Sequence, residues 1–84
     1  MRWGLLIANR AARQLRRLSD PEKKTIADAL SEMRDNPFYG DVKFLRGLDA
    51  LRRRVGDWRI LYELNEERRI IRVTAIKRRG SNTY

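Results

Sequence analysis

The sequence predicts a two-layer α+β domain: an N-terminal strand, a helical hairpin, and then a three-stranded antiparallel meander. Three observations carry this. Ser19-Asp20-Pro21-Glu22 has the spacing of a helix capping box, with proline in the first turn. The apolar period changes from helical before Asn36-Pro37 to alternating after Ala50. Gly56-Asp57 then separates two alternating runs, with glycine first, as a type II′ hairpin turn requires. With 84 residues, the chain makes one domain, 1–84.

The elements follow in order. Trp3 to Ala8 is apolar almost throughout and is expected to be a strand covered on at least one face. Asn9 is the expected cap of a short helix over 10–18, whose stripe is Ala11, Ala12, Leu15 and Leu18. A second helix runs from the capping box to about Asp35, burying Ile26, Ala27, Ala29, Leu30 and Met33. Asn36-Pro37 stops it. Residues 38–50 are expected to be loop, with Phe44, Leu45 and Leu48 pinning it to the core. In the first strand of the meander, Leu51, Arg53 and Val55 alternate with Arg52 and Arg54. In the second, Trp58, Ile60, Tyr62 and Leu64 share the apolar face, so Trp58 and Tyr62 are expected in the core rather than as stacking platforms. Asn65 to Arg68 form a turn, Arg69 to Lys77 the last strand, and a basic segment follows to Tyr84.

Charge narrows the function. Lys and Arg number 20 against 11 Asp and Glu, for a net +9. Only four of the twenty are lysine, which leaves sixteen arginines. The excess is concentrated in residues 43–84, with twelve basic and five acidic residues. A domain so basic is expected to bind a polyanion. Strand alternation would gather Arg52, Arg54 and Arg59 on the face away from the helices. Such a cluster costs stability until an anion joins it. Arg53 falls on the apolar face and must find an edge or an acidic partner.

Other chemistries are excluded or unsupported. Cysteine and histidine are absent, which removes disulfides, thiol nucleophiles, thiolate zinc sites and imidazole ligands. No metal or other cofactor is expected. There is no phosphate-binding glycine loop. No apolar run is long enough for a membrane span, and the N-terminal apolar stretch is too short for a signal peptide, so a cytoplasmic location is expected.

Phe44-Leu45-Arg46-Gly47-Leu48, the run Leu51 to Tyr62 (LRRRVGDWRILY), Ala75-Ile76-Lys77-Arg78-Arg79, and Tyr84 together resemble the RelE/ParE superfamily of toxins. The resemblance spans the whole chain. It implies a toxin of a type II toxin–antitoxin system, held inactive by a cognate antitoxin. RelE-like members cut mRNA in the ribosomal A site, on the 30S subunit. ParE-like members inhibit DNA gyrase instead and lack the ribonuclease residues. The RelE-like residues fall on Arg52, Arg54, Arg59, Arg78 and Tyr84, which favours that branch. Lys43, Arg46, Lys77 and Arg79 are expected to bind RNA or the ribosome. The implied reaction is metal-independent attack of a ribose 2′-OH on the adjacent phosphate. The strand positions of Arg52 and Arg54 are often lysine in RelE itself, and a guanidinium is not a ready proton acceptor. A toxin–antitoxin heterotetramer on operator DNA is a further implied assembly. Three readings stay open beside the ribonuclease: a gyrase inhibitor, a plain RNA-binding module, and an inactive homologue that acts only in a repressor complex.

Overall fold

The computed structural model describes residues 2–46 and 50–79. Strand β1 (Gly4–Ile7) leads into helices α1 (Asn9–Arg16) and α2 (Asp20–Asp35). Strands β2 (Asp41–Arg46), β3 (Ala50–Val55), β4 (Trp58–Asn65) and β5 (Ile70–Arg78) follow. They form one five-stranded sheet in the order β1-β5-β4-β3-β2. The β1–β5 pair is parallel and the other three are antiparallel. The two-layer α+β architecture is as expected, with the meander one strand longer.

The extra strand is β2, within the segment expected to be loop. Its pattern, Asp-Val-Lys-Phe-Leu-Arg, lacks clean alternation because it is an edge strand with little to bury. Phe44 and Leu45 do not pin it to the core; both remain more than 40% exposed. Phe44 instead stacks on Phe38, with ring centroids 6.2 Å apart. Leu48 lies outside the described residues.

Helix α2 begins as its sequence dictates. The Ser19 side chain accepts the Glu22 backbone N–H, and the Glu22 carboxylate accepts the Ser19 N–H. Helix α1 starts one residue earlier than expected: Ala8 is the cap, without a side-chain bond, and Asn9 is already helical. Its last turn tightens, with Arg17 and Leu18 N–H groups donating to Gln14 and Leu15 carbonyls.

Both helices cover one face of the sheet. Ile26, Leu30 and Met33 pack there against Leu51, Ile60, Tyr62, Ile71 and Val73. Complete burial of each large apolar side chain stabilises by roughly 1.5–3 kcal/mol. Tyr62 belongs to this core, as expected, and Trp3 joins it. The Tyr62 hydroxyl donates to the Pro37 carbonyl at 2.6 Å, tying the segment after α2 to the middle of the sheet. Among the described residues, no element covers the opposite face. No helix among them is long and apolar enough to cross a membrane.

Burial raises the Tyr62 hydroxyl to about 12, against a nearby Arg53 charge that lowers it. The unfolded phenol ionises near 10, so the fold is expected to lose stability as pH rises from 10 toward 12. Urea unfolding of Tyr62→Phe should show a loss of about 1 kcal/mol at neutral pH, from the unpaired Pro37 carbonyl. The same variant should show a shallower alkaline decline than the parent.

Candidate nucleic-acid interface

Three consecutive arginines are divided between the faces of β3 by its alternation. Leu51, Arg53 and Val55 face the helices, and Arg52 and Arg54 face the open side. Arg53 is 6% exposed and finds the acidic partner that its position demanded: its guanidinium pairs with Glu32 on α2. It also donates to the Ala29 carbonyl at 3.3 Å and lies over the Tyr39 ring, 5.8 Å from its centroid. Gly40 makes room for it. A Cβ there would come within 3.2 Å of the guanidinium, and the residue has a φ of +87°.

On the open side, β2, β3 and β4 form a depression of about 590 Å³ lined by Lys43, Leu45, Ala50, Arg52, Arg54, Arg59 and Leu61. Gly56, with a φ of +56°, turns β3 directly into β4 and sets Arg54 opposite Arg59. The cross-strand row continues outward: Asp41 faces Arg54, and Lys77 faces Arg59. A second row runs Lys43, Arg52, Leu61, Ala75.

A bulge brings Lys77 into the first row. On β4, Leu61 and Tyr62 are adjacent, but their partners on β5 are Ala75 and Val73. Thr74 is the additional residue, and its hydroxyl donates to the Leu61 carbonyl at 3.2 Å. Beyond it the phase of β5 reverses, so Ala75 and Lys77 join the open face. Lys77 is covered to 6% exposure, and burial together with the Arg10 charge lowers its pKa below the ordinary lysine value.

The electrostatics of the depression are unbalanced. Arg52 is 9% exposed, and its Nη1 has no hydrogen-bond partner. Asp41 lies 3.8 Å from Arg52 Nη2 and 3.7 Å from Arg54 Nε. The sequence pattern does not single out Asp41, because the edge strand that carries it has no clean alternation.

The expected site residues are only partly brought together. Arg52, Arg54, Arg59 and Lys43 line the depression, and Lys77 extends it. Arg78 does not join them. It faces the helical side, opposite Trp58, with its guanidinium 4.8 Å from that ring centroid and ion-paired with Glu22. Arg79 is exposed in the turn after β5, its N–H donating to the Asp57 carbonyl at 2.6 Å. Arg46 ends β2. Tyr84 lies outside the described residues. Among the described residues, no group of His, Cys, Asp or Glu is arranged to hold a metal.

Solved toxins share this arrangement of elements. The chain superposes on the archaeal RelE–RelB complex from Pyrococcus horikoshii OT3 with a TM-score of 0.85 and 24% identity, covering 95% of this chain and 98% of that one. The isolated RelE toxin of E. coli gives a TM-score of 0.80 at 19% identity, covering 95% and 87%. The YoeB/ParE toxin from Agrobacterium tumefaciens gives 0.76 at 17%, covering 89% and 96%. No curated protein matches in sequence. The fold is therefore that of the RelE-type toxins. Residues 5–83 match the family model of the ParE toxin of the type II toxin–antitoxin system parDE, and the chain belongs to this toxin family.

Two outcomes test the electrostatics of the interface. Arg54 and Arg59 are like charges directly opposed, so Arg59→Gln should stabilise the protein by roughly 0.2–1 kcal/mol in thermal unfolding. Glu22 is held below the ordinary carboxylate range, chiefly by the Ser19 backbone and side chain and further by Arg78. Its contribution is complete above the unfolded value of 4.5 and is lost as pH falls through the lower folded value. Glu22→Gln should therefore flatten the acid limb of a stability-versus-pH curve.

Proposed function

We propose that the protein is a ribosome-dependent mRNA endoribonuclease, cutting in the A site and restrained by a cognate antitoxin. The observation that carries this reading is the convergence of Arg52, Arg54, Arg59 and Lys43 on one uncovered depression. Guanidinium groups make bidentate contacts to phosphate, and the Arg54 side chain is 47% exposed to receive one. The resemblance in the sequence assigns ribonuclease roles to the same three arginines.

In the proposed reaction the ribose 2′-oxygen attacks the adjacent phosphorus and the P–O5′ bond breaks. A 2′,3′-cyclic phosphate and a 5′-OH result, the proton of the 2′-OH being replaced by one on the departing oxygen. Arg59 and Arg54 hold the phosphate and stabilise its developing charge. Arg52 and Lys43 grip the flanking backbone. None of these arginines is a proton acceptor, since a guanidinium stays charged. That role is assigned to Tyr84, whose phenol a cationic cluster would favour as phenolate. Lys77, the cation opposite Arg59, is assigned the proton for the departing oxygen. Arg78, held by Glu22 and Trp58, is given no catalytic contact. Lys43, Arg46 and Arg79 serve ribosomal and messenger RNA, through contacts that weaken as salt rises. The proposed antitoxin is a segment that folds over the depression and neutralises it. Some of the solved relatives are toxin–antitoxin complexes, which supports such a partner. A joint repressor assembly on operator DNA is a further proposal.

A gyrase-inhibiting reading is kept for one reason: the matching family model is that of the ParE toxin. The two readings separate in one pair of assays. Purified protein should cut a defined mRNA on stalled ribosomes at the A-site codon, and Arg59→Ala should lower the rate by about 10²–10³. Supercoiling by purified gyrase should be unaffected. Intact mRNA together with blocked supercoiling would reverse the assignment. Full cleavage by Tyr84→Phe would remove the tyrosine from the mechanism.

A further inference from the structure

Among the described residues, the arginines of the depression are accompanied by one carboxylate. Asp41 stands at the start of β2, opposite Arg54, and its two oxygens approach two different guanidinium groups at 3.8 and 3.7 Å. Both separations exceed the roughly 2.7–2.9 Å of a charge-assisted hydrogen bond. Other ion pairs of the molecule are tighter: Arg2–Asp35 is 2.9 Å, Lys24–Asp28 is 3.1 Å and Arg72–Glu63 is 3.2 Å. Asp41 thus bridges two cations loosely rather than capturing one. Its side chain is 56% exposed, while that of Arg52 is 10% exposed. The anion can leave for solvent; the cation cannot.

We propose that Asp41 is a selectivity residue of the depression, its carboxylate standing between Arg52 and Arg54 where a backbone phosphate oxygen sits when a polyanion binds. This deepens the RNA-binding reading and rests on it, but not on cleavage. In the free protein, Asp41 offsets the repulsion among Arg52, Arg54 and Arg59. An incoming phosphate must displace it. A small monoanion gains little from an exchange of one negative charge for another. A polymer gains, because each displaced contact comes with neighbouring phosphates on Arg59 and Lys43. Asp41 therefore weakens binding of every anion and leaves only polyanions able to compete.

The position of Asp41 comes from the backbone. Gly40, with its φ of +87°, turns the chain into β2 against the Arg53 guanidinium, and the next residue is delivered opposite Arg54. Nothing in this geometry needs a carboxylate for packing, so asparagine fits the same place.

The test compares Asp41→Asn with Asp35→Asn, which makes the same change in net charge at the end of α2, in the helical layer. Binding of a labelled single-stranded RNA and of labelled heparin is followed by fluorescence anisotropy over a range of salt. Thermal unfolding is followed in parallel. Asp41→Asn should bind both polymers about threefold or more tightly than the parent, an effect of the size of an exposed ion pair. The midpoint of unfolding should fall in the same variant. Asp35→Asn should leave both affinities nearly unchanged, screening being strong beyond about 8 Å. Asp41→Asn that binds no more tightly than Asp35→Asn overturns the proposal. An Asp41 effect with heparin in a protein that ignores RNA removes the ribonuclease reading and leaves the inference standing. Binding of neither polymer by any variant overturns both.

Discussion

The burial of the Arg53 guanidinium beneath α2 is the constraint on which the open face depends. A cation under a helical layer is costly unless its donors are met. Arg53 meets most of that demand with the Glu32 carboxylate, the Ala29 carbonyl and the Tyr39 ring. Its Nε remains without a partner. These contacts fix the phase of β3. A slip of one residue would put Arg52 and Arg54 under the helices, where Ile26, Leu30 and Met33 offer them nothing. The only phase that buries one arginine and not two places the outer pair in the depression. The Arg53 anchor and the basic surface are thus one fact about strand alternation.

The second constraint is the irregularity of β5. Regular pairing would send Lys77 to the helical side. The additional residue at Thr74 reverses the phase, aligning Lys77 with Arg59 and putting Arg78 beside Trp58 and Glu22. Two adjacent cations are thereby given different tasks. Lys77 extends the basic row. Arg78 ties the last strand to the capping box of α2, since the Glu22 carboxylate serves both the Ser19 N–H and Arg78. Local helix initiation and long-range sheet packing share that carboxylate.

Much of this was legible in the residues, and what was not has definite physical causes. The capping box, the Asn36-Pro37 stop and the Gly56-Asp57 turn are local signals whose partners lie within a few residues. Alternation in β3 and β4 needs only period two, and it separated Arg53 from Arg52 and Arg54 correctly. The demand that Arg53 find an acid was also legible, though not that Glu32 would be the one. Strand β2 was hidden because an edge strand packed weakly against the helices carries little apolar contrast. The Thr74 bulge was hidden because nothing in Val-Thr-Ala-Ile marks which residue goes unpaired. Asp41 was lost with β2, and the position of Arg78 was lost with the bulge. Asn9 misled because capping preference says only that an asparagine can cap; Ala8 and the path of β1 decided otherwise.

The depression concentrates like charges where the fold gains nothing from them. Arg54 opposes Arg59 directly, Lys77 stands opposite Arg59 on the other side, and Arg52 keeps an unmet donor. Stability alone would select glutamine or threonine at several of these places, as uncovered sheet positions commonly carry. The core compensates: Leu51, Ile60, Tyr62, Ile71 and Val73 are essentially inaccessible beneath the two helices. A sheet with one face devoted to cohesion can leave the other to an arrangement that is relieved only by an anion from outside. The loose Asp41 bridge is the partial remedy within the molecule. It lowers the repulsion of the empty site without sealing it, because the carboxylate reaches both guanidinium groups and is bound closely by neither. A tighter internal pair would stabilise the fold further but close the site to a ligand. The distances near 3.7 Å are those of a surface balanced between the two.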